Sequence, residues 1–351
     1  MHATPLKLIS TALLALAGCA PLGLAGTPTT FTNPVLDADF PDPAVIKAPD
    51  GFYYAYATQT KRGDQWINIQ AARSADLVSW QPIGDALPTK PGWASKTQDF
   101  WAPHVIRHGD TYFMYFSAKP DASLSNDKRG LCLGVATAGG PLGPFTDKGT
   151  PLHCGDGFVN IDPMAFDDPA TGKPLLYWGS GFQPIKVQEL GRDRMSFAPG
   201  SSPANLIPVI KDDPAQYRQL VEGAWVMQHD GWYYLFYSGN NCCGKDAHYA
   251  VLVARSRNAA GPFETRGPDP VVLAARGKWV APGHNAVIRD ARGDDWLVYH
   301  SVDAQRPRTV PSDEINTRRI LLIDRIKWRD GWPSIAGDGP STEPQMRPAT
   351  R

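Results

Sequence analysis

The sequence predicts an all-β protein, a five-bladed β-propeller. A short strand, a tight turn and a second strand rich in aromatics recur five times, the recurrences are evenly spaced, and no stretch of adequate length keeps a helical periodicity. Several strands and turns within one repeat of this size are what a propeller blade looks like in sequence, since each blade is a small antiparallel sheet.

The chain opens with a segment that does not belong to the fold. Lys7 precedes an apolar run over 8–17, broken only by Ser10 and Thr11, on the plan of a secretory signal peptide. The run is too short for a stable membrane span. It ends in Leu16-Ala17-Gly18-Cys19, which resembles a bacterial lipobox, so residues 1–18 read as a lipoprotein signal, Cys19 as the lipidated residue and 19–32 as a Pro-, Thr- and Gly-rich tether. An exported, lipid-anchored protein facing the periplasm or the cell surface is the expectation. Membrane contact is expected only through that anchor, and the molecule is expected to be a monomer.

The five copies fill 33–335. Asp42-Pro43-Ala44-Val45-Ile46 leads through Asp50-Gly51 into an aromatic run over 52–58; Ala102-Pro103-His104 leads through Gly109-Asp110 into 111–117. Asp162-Pro163-Met164 leads through a longer turn into 174–180, Glu222-Gly223-Ala224-Trp225 through Asp230-Gly231 into 232–238, and His284-Asn285-Ala286 through Arg292-Gly293 into 295–301. Asp-Gly between such runs is a strong hairpin signal. The leading positions are 42, 102, 162, 222 and 284, separated by 60, 60, 60 and 62 residues. Third strands are expected over 67–72, 131–137, 185–190, 249–256 and 319–328. Ring closure needs a device against exposed sheet edges, and 31–36 is the candidate strand for the last blade. Residues 336–351, polar and Pro-rich, read as a loose tail.

Composition narrows the partner. Lys plus Arg and Asp plus Glu number 35 each, which gives no electrostatic reason to expect nucleic acid or a membrane surface and favours an uncharged substrate. In an exported protein Cys132, Cys154, Cys242 and Cys243 are read as disulfides rather than free thiols or zinc ligands. Of three connectivities, Cys132 with Cys154 and Cys242 with Cys243 is favoured.

In a propeller the first strands line the central channel and run the same way, so their starting residues converge on one mouth. Here those are Asp42, Ala102, Asp162, Glu222 and His284. Singly, Asp-Pro is an ordinary turn, Glu-Gly an ordinary break and a lone His an ordinary surface or core residue. Together, three carboxylates at equivalent points of a ring oppose one another's ionisation, a cost typical of catalytic groups with separated pKa values.

Asn33-Pro34-Val35-Leu36, Phe40-Pro41-Asp42-Pro43, Trp101-Ala102-Pro103, Ile161-Asp162-Pro163, Glu222-Gly223, Pro282-Gly283-His284-Asn285 and Asp330-Gly331-Trp332-Pro333 together resemble glycoside hydrolase family 43. The resemblance covers nearly the whole mature chain, in order. It implies a five-bladed propeller that hydrolyses mainly α-L-arabinofuranosidic and β-D-xylosidic bonds with inversion. It further implies Asp42 as general base, Glu222 as general acid and Asp162 as the residue that orients the acid and tunes its pKa. An inverting glycosidase needs a proton donor and a water-activating carboxylate roughly 6.5 to 9.5 Å apart, and Asp42 and Glu222 belong to non-adjacent units. His284 resembles the family's axial histidine, which in many members helps hold calcium through water; a metal-free, hydrogen-bonded histidine is the alternative. No cofactor is required for the chemistry, and Ca²⁺ in the channel would be structural. Arg319, or its neighbour Arg318, would meet sugar hydroxyls, and Phe40 and Trp101 would stack on the sugar. Tyr53, Tyr233 and Phe236 read as blade packing, while Trp178 and Trp225 stay open. His104 departs from the Asp common after Trp-Ala-Pro.

The expected substrate is an oligo- or polysaccharide, with arabinofuranosyl units removed from arabinan or arabinoxylan fragments. A β-D-xylosidase, an endo-1,5-α-L-arabinanase and a non-catalytic glycan-binding propeller are the alternatives. The fructoside-cleaving propellers also use three carboxylates, but their Arg-Asp-Pro is Ile161-Asp162-Pro163 here.

Overall fold

The structure, a computed structural model, describes residues 1–2, 29–121, 130–179, 181–213, 215, 217–268, 270–308 and 317–350. The leader, Cys19 and most of the tether lie outside the described residues. Among those described, no helix is long and apolar enough to cross a membrane.

Five antiparallel sheets in chain order form the blades. Their inner strands are Ala44–Lys47, Phe100–His108, Met164–Asp167, Val221–His229 and Trp279–Arg289. Their second strands are Tyr53–Ala57, Thr111–Ala118, Pro174–Trp178, Trp232–Asn241 and Asp295–Asp303. Third strands follow at Gln70–Ser74, Cys132–Ala138, Ile185–Glu189, His248–Ser256 and Arg319–Arg329. Only the first is displaced from expectation, because the hairpin Thr60–Arg62 with Gln65–Ile67 intervenes.

The aromatic second strands do more than fill volume. The hydroxyls of Tyr56, Tyr115, Tyr177 and Tyr234 donate to the backbone carbonyls of Pro141, Arg194, Ala259 and Gly331, each in the following blade. Each ring therefore buries apolar area while its polar tip satisfies a backbone acceptor of the next blade. In the last blade Tyr299 turns instead to Asp324 of its own sheet.

Closure uses both chain ends. The Val35 and Leu36 amides donate to the Leu321 carbonyl, Leu36 bridges Leu321, and Phe40 N–H donates to Arg319 O. Asn33 locks this edge by donating to Ile323 O and accepting from Ile323 N–H. The segment after Ile335, expected to be loose, is docked: Thr30 and Phe31 pair with Met346 and Gln345, the Trp279 indole donates to Ser341 O, and Arg347 forms an ion pair with Asp76. Its polar composition concealed backbone pairing, which needs no particular side chains.

Both expected disulfides are present, Cys132 with Cys154 and Cys242 with Cys243.

Candidate active site

A cavity of about 1050 Å³ opens at the end of the ring where the inner strands begin. Because second strands return to that end, the connections between second and third strands form its rim. Asp42, Asp162, Glu222, His284, Arg319 and Trp101 all line it. The three carboxylates are more than nine-tenths buried, at 8%, 6% and 8% exposure.

At the same ring position in every blade the backbone is left-handed: Asp42 (φ 56°), Ala102 (46°), Asp162 (56°), Gly223 (62°) and His284 (46°). Four are not glycine, so the strain has to be held by its surroundings. It is held by the preceding blade. The amides of Asp42, Ala102, Asp162 and His284 donate to His300 Nδ1, Thr58 Oγ1, Ser117 Oγ and Ser238 Oγ, each at the end of the neighbouring second strand. The corresponding place ahead of the fourth blade is Gly179, which has no side chain, and the Asp162 carboxylate takes the Gly223 amide instead, at 3.0 Å.

This corrects the sequence register by one residue. The equivalent of Asp42 in the fourth blade is Gly223, not Glu222. Glu222 pairs with Ser238 as Trp101 pairs with Ser117 and Gly283 with His300. A Cβ on Gly223 would lie 3.3 Å from His284 Nδ1, so glycine suits the ring position and the acid is carried one residue earlier.

Asp42 sits in a basic nest. Its Oδ1 accepts from Arg319 Nη1 at 2.6 Å and its Oδ2 from Thr58 Oγ1 at 2.6 Å, while Nδ1 of His284 and of His300 each lie 3.4 Å from Oδ1. Burial would raise its pKa, but Arg319 foremost, with the histidines and Thr58, outweighs burial and holds the carboxyl well below the ordinary range. Burial also lowers both imidazoles, so near neutrality Arg319 is the lasting positive charge.

Asp162 is the opposite case. Burial first, then the charges of Glu222 and Asp42, raise its pKa well above the ordinary value. The repulsion is mutual, so Asp162 and Glu222 together retain a proton to higher pH than an isolated carboxyl would. Glu222 Oε1 accepts from the Tyr249 hydroxyl at 2.8 Å. That ring lies parallel to His300 at 5.8 Å, and a Cβ on Gly283 would fall 2.1 Å from it. One side of the cavity thus holds an ionised carboxylate and the other a proton-bearing pair.

The remaining expectations divide. Arg319, not Arg318, enters the cavity; Arg318 turns outward to Asp37. Phe40 is fully buried in the core, and its neighbour Pro41 lines the cavity in its place; the Phe40 ring packs rather than meets a sugar. Trp178 is buried and donates to Asn160, and Trp225 packs edge-on against His104. His104, pushed down to about 3 by burial, accepts the Ala165 amide and so ties the second blade to the third as a neutral ring. Tyr249, His300 and Thr58 were not singled out from sequence. For Thr58 there was a signal, since the aromatic runs end in Thr58, Ser117 and Ser238, a second series in step with the first; the fifth run ends in Ser301, which drew attention away from His300.

A calcium site at His284 does not fit. The channel below the carboxylates, lined by His284, Asn285, His104 and Trp225 among others, has about 10 Å³ of free space. That is about one water, whereas calcium takes six to eight oxygen ligands. The buried Asn285 amide lacks a hydrogen-bond partner among the described residues and suits such a water. Among the described residues no group of three or more His, Cys, Asp or Glu is arranged to hold a metal.

Comparison with known proteins agrees with this architecture. The chain is 29% identical over 313 residues to a probable arabinan endo-1,5-α-L-arabinosidase A of Aspergillus flavus, covering 84% of this chain and 90% of that one. It is 25% identical over 306 residues to the extracellular exo-α-(1→5)-L-arabinofuranosidase ArbA of Cellvibrio japonicus, covering 79% and 84%. The crystal structure of a thermostable family-43 glycoside hydrolase superposes with a TM-score of 0.73 at 28% identity, covering 91% of this chain and 99% of that one. The family model for glycosyl hydrolases family 43 matches residues 31–333, and the chain belongs to that family of glycoside hydrolases.

Proposed function

We propose that the protein is an inverting glycosidase that releases L-arabinofuranosyl units from arabinan- or arabinoxylan-derived chains. The observation that carries this reading is the opposite electrostatic setting of the carboxylates in one cavity, Asp42 held ionised by Arg319 at 2.6 Å, and Glu222 sharing a retained proton with the buried Asp162 beside it. Asp42 takes a proton from water as the water oxygen attacks the anomeric carbon. Glu222 gives its proton to the glycosidic oxygen as that bond breaks. Asp162 keeps the proton on the acid side of the site and, through the Gly223 amide, fixes the backbone next to Glu222. Trp101 offers a face to the sugar ring. Arg319 serves the base first and the sugar second, and no step runs through a metal ion.

Arabinan-directed activity is favoured by the arabinan-cleaving names of the relatives from Aspergillus flavus and Cellvibrio japonicus. A second reading, endo-arabinanase, is favoured by the cavity, which matches the upper end of ligand-pocket volumes, about 1,000 Å³. The exposed rings of Trp66 and Phe182 on its rim also suit a chain of sugars. The lipobox-like Leu16-Ala17-Gly18-Cys19 supports export with a lipid anchor.

The test is hydrolysis of nitrophenyl α-L-arabinofuranoside, nitrophenyl β-D-xyloside and debranched arabinan, with proton NMR of the first-formed anomer. Free arabinose of inverted configuration is expected. Internal cleavage of arabinan selects the endo reading, xyloside turnover alone overturns the arabinose assignment, and retained configuration overturns the roles of Asp42 and Glu222.

A further inference from the structure

The wall of the cavity nearest the acid has an unusual make-up. Glu222 pairs with Ser238 across its hairpin, and the same strand continues through Asn240 and Asn241 into the disulfide Cys242–Cys243. All four of these residues line the cavity.

Stability does not explain this bridge. A disulfide stabilises mainly by removing loop entropy from the unfolded chain, an effect that grows with loop length. Cys132–Cys154 spans 22 residues, whereas Cys242–Cys243 spans one. The vicinal bridge therefore gains least by that route, and its effect is local.

Its surroundings hold it as a fixed surface. Cys242 packs in a small cluster with Tyr249, the ring whose hydroxyl donates to Glu222. The next amide, Gly244 N–H, donates to Thr317 Oγ1 of the last blade at 2.6 Å. Asn240 stands in the left-handed region at φ 70°, with its amide bonded to Leu220 O. Its side-chain amide has no hydrogen-bond partner among the described residues, and strain of this kind clusters at ligand sites.

We propose that Asn240 and the Cys242–Cys243 disulfide form the docking surface for the leaving-group sugar. This rests on the glycosidase reading, because the acid must face the oxygen that departs, and the sugar bearing that oxygen must lie on the acid's side of the cavity. A pentose presents hydroxyls and an apolar C–H face. The free Asn240 amide offers a donor and an acceptor to the first, and the polarisable sulfurs an apolar shelf to the second.

The test is a ratio: kcat/KM for α-1,5-linked arabinotriose over kcat/KM for α-L-arabinofuranosyl fluoride, which carries no leaving sugar. It is measured for the wild type, the double variant Cys242→Ser with Cys243→Ser, and Asn240→Gly, where glycine accepts the same φ. In each variant the ratio is expected to fall about tenfold or more, the usual scale for losing one good contact. An unchanged ratio in both variants overturns the proposal while leaving the glycosidase reading intact. Absence of wild-type turnover of the fluoride, of β-D-xylosyl fluoride and of both matching trisaccharides overturns that reading, and this proposal with it.

Discussion

Removing Arg319 as Arg319→Gln tests how the site keeps its base ionised. The guanidinium donates to Asp42 Oδ1 at 2.6 Å in a setting where both side chains are nearly buried. An opposite charge at such range lowers a carboxyl by about one to three pKa units, or about 1.4 to 4 kcal/mol. Without it, burial is opposed by the Thr58 bond and by two imidazoles whose own pKa values burial holds down. Because the base must be ionised, the acid limb of kcat/KM is set by Asp42. In the wild type that limb lies below the ordinary carboxylate range, and in the variant it moves up by about one to three units. The assay is kcat/KM for nitrophenyl α-L-arabinofuranoside from about pH 3 to about pH 8. Stability follows the same sign. A carboxyl depressed in the folded state stabilises it above its unfolded pKa, and that contribution is lost as pH falls through the folded value. The variant should therefore melt lower at neutral pH, with the gap to wild type closing in acid. A uniform fall in kcat/KM with an unmoved acid limb would refute this reasoning and make Arg319 a sugar-binding residue.

Other perturbations address separate parts of the site. Glu222→Gln should reduce kcat on arabinan fragments about 10²- to 10⁴-fold; the loss should shrink for a dinitrophenyl leaving group, which needs no proton, and an equal loss on both would argue against the acid role. Gly283→Ala places a Cβ 2.1 Å from the Tyr249 ring and should displace that ring from Glu222, lowering kcat more than it raises KM; wild-type kinetics would show that the ring can yield. Deleting 336–351 removes the Trp279–Ser341 bond, the Arg347–Asp76 ion pair and the pairing with Thr30–Phe31, and should lower the melting temperature by several degrees at about 2 kcal/mol of lost contact. An unchanged melting curve would mean that closure rests on 33–36 alone.

The fold was legible because every blade repeats one grammar of turn, aromatic strand and third strand. Five copies average out the ambiguity of any one. Asp42 and Asp162 were legible for the same reason, as they sit at the repeated strand start. Glu222 was found but misaligned by one residue. Its carboxylate stood out more than the Gly223 conformation, and only the pairing of Glu222 with Ser238 shows where the repeat falls. Phe40 was misread because an aromatic beside a site residue looks alike whether it faces the cavity or the core. Tyr249 could not be located from a single sequence. It lies on a third strand 27 residues from Glu222, and its role exists only because Gly283 of the next blade leaves room for the ring.

The docking of the two chain ends has a geometric consequence. Arg347 reaches Asp76 and Ala349 bonds to Asp290, both in turns at the end of the ring opposite the cavity, and Thr29 and Thr30 accompany this tail. The chain therefore enters the propeller from underneath and climbs the edge of the last blade, through Asn33 and Leu36, to deliver Asp42 at the mouth. Nine residues lie between Cys19 and Thr29, a reach of at most about 35 Å. If Cys19 carries the proposed lipid, the leash joins the molecule at its underside, and the cleft lies at the far end of the ring from the point of attachment.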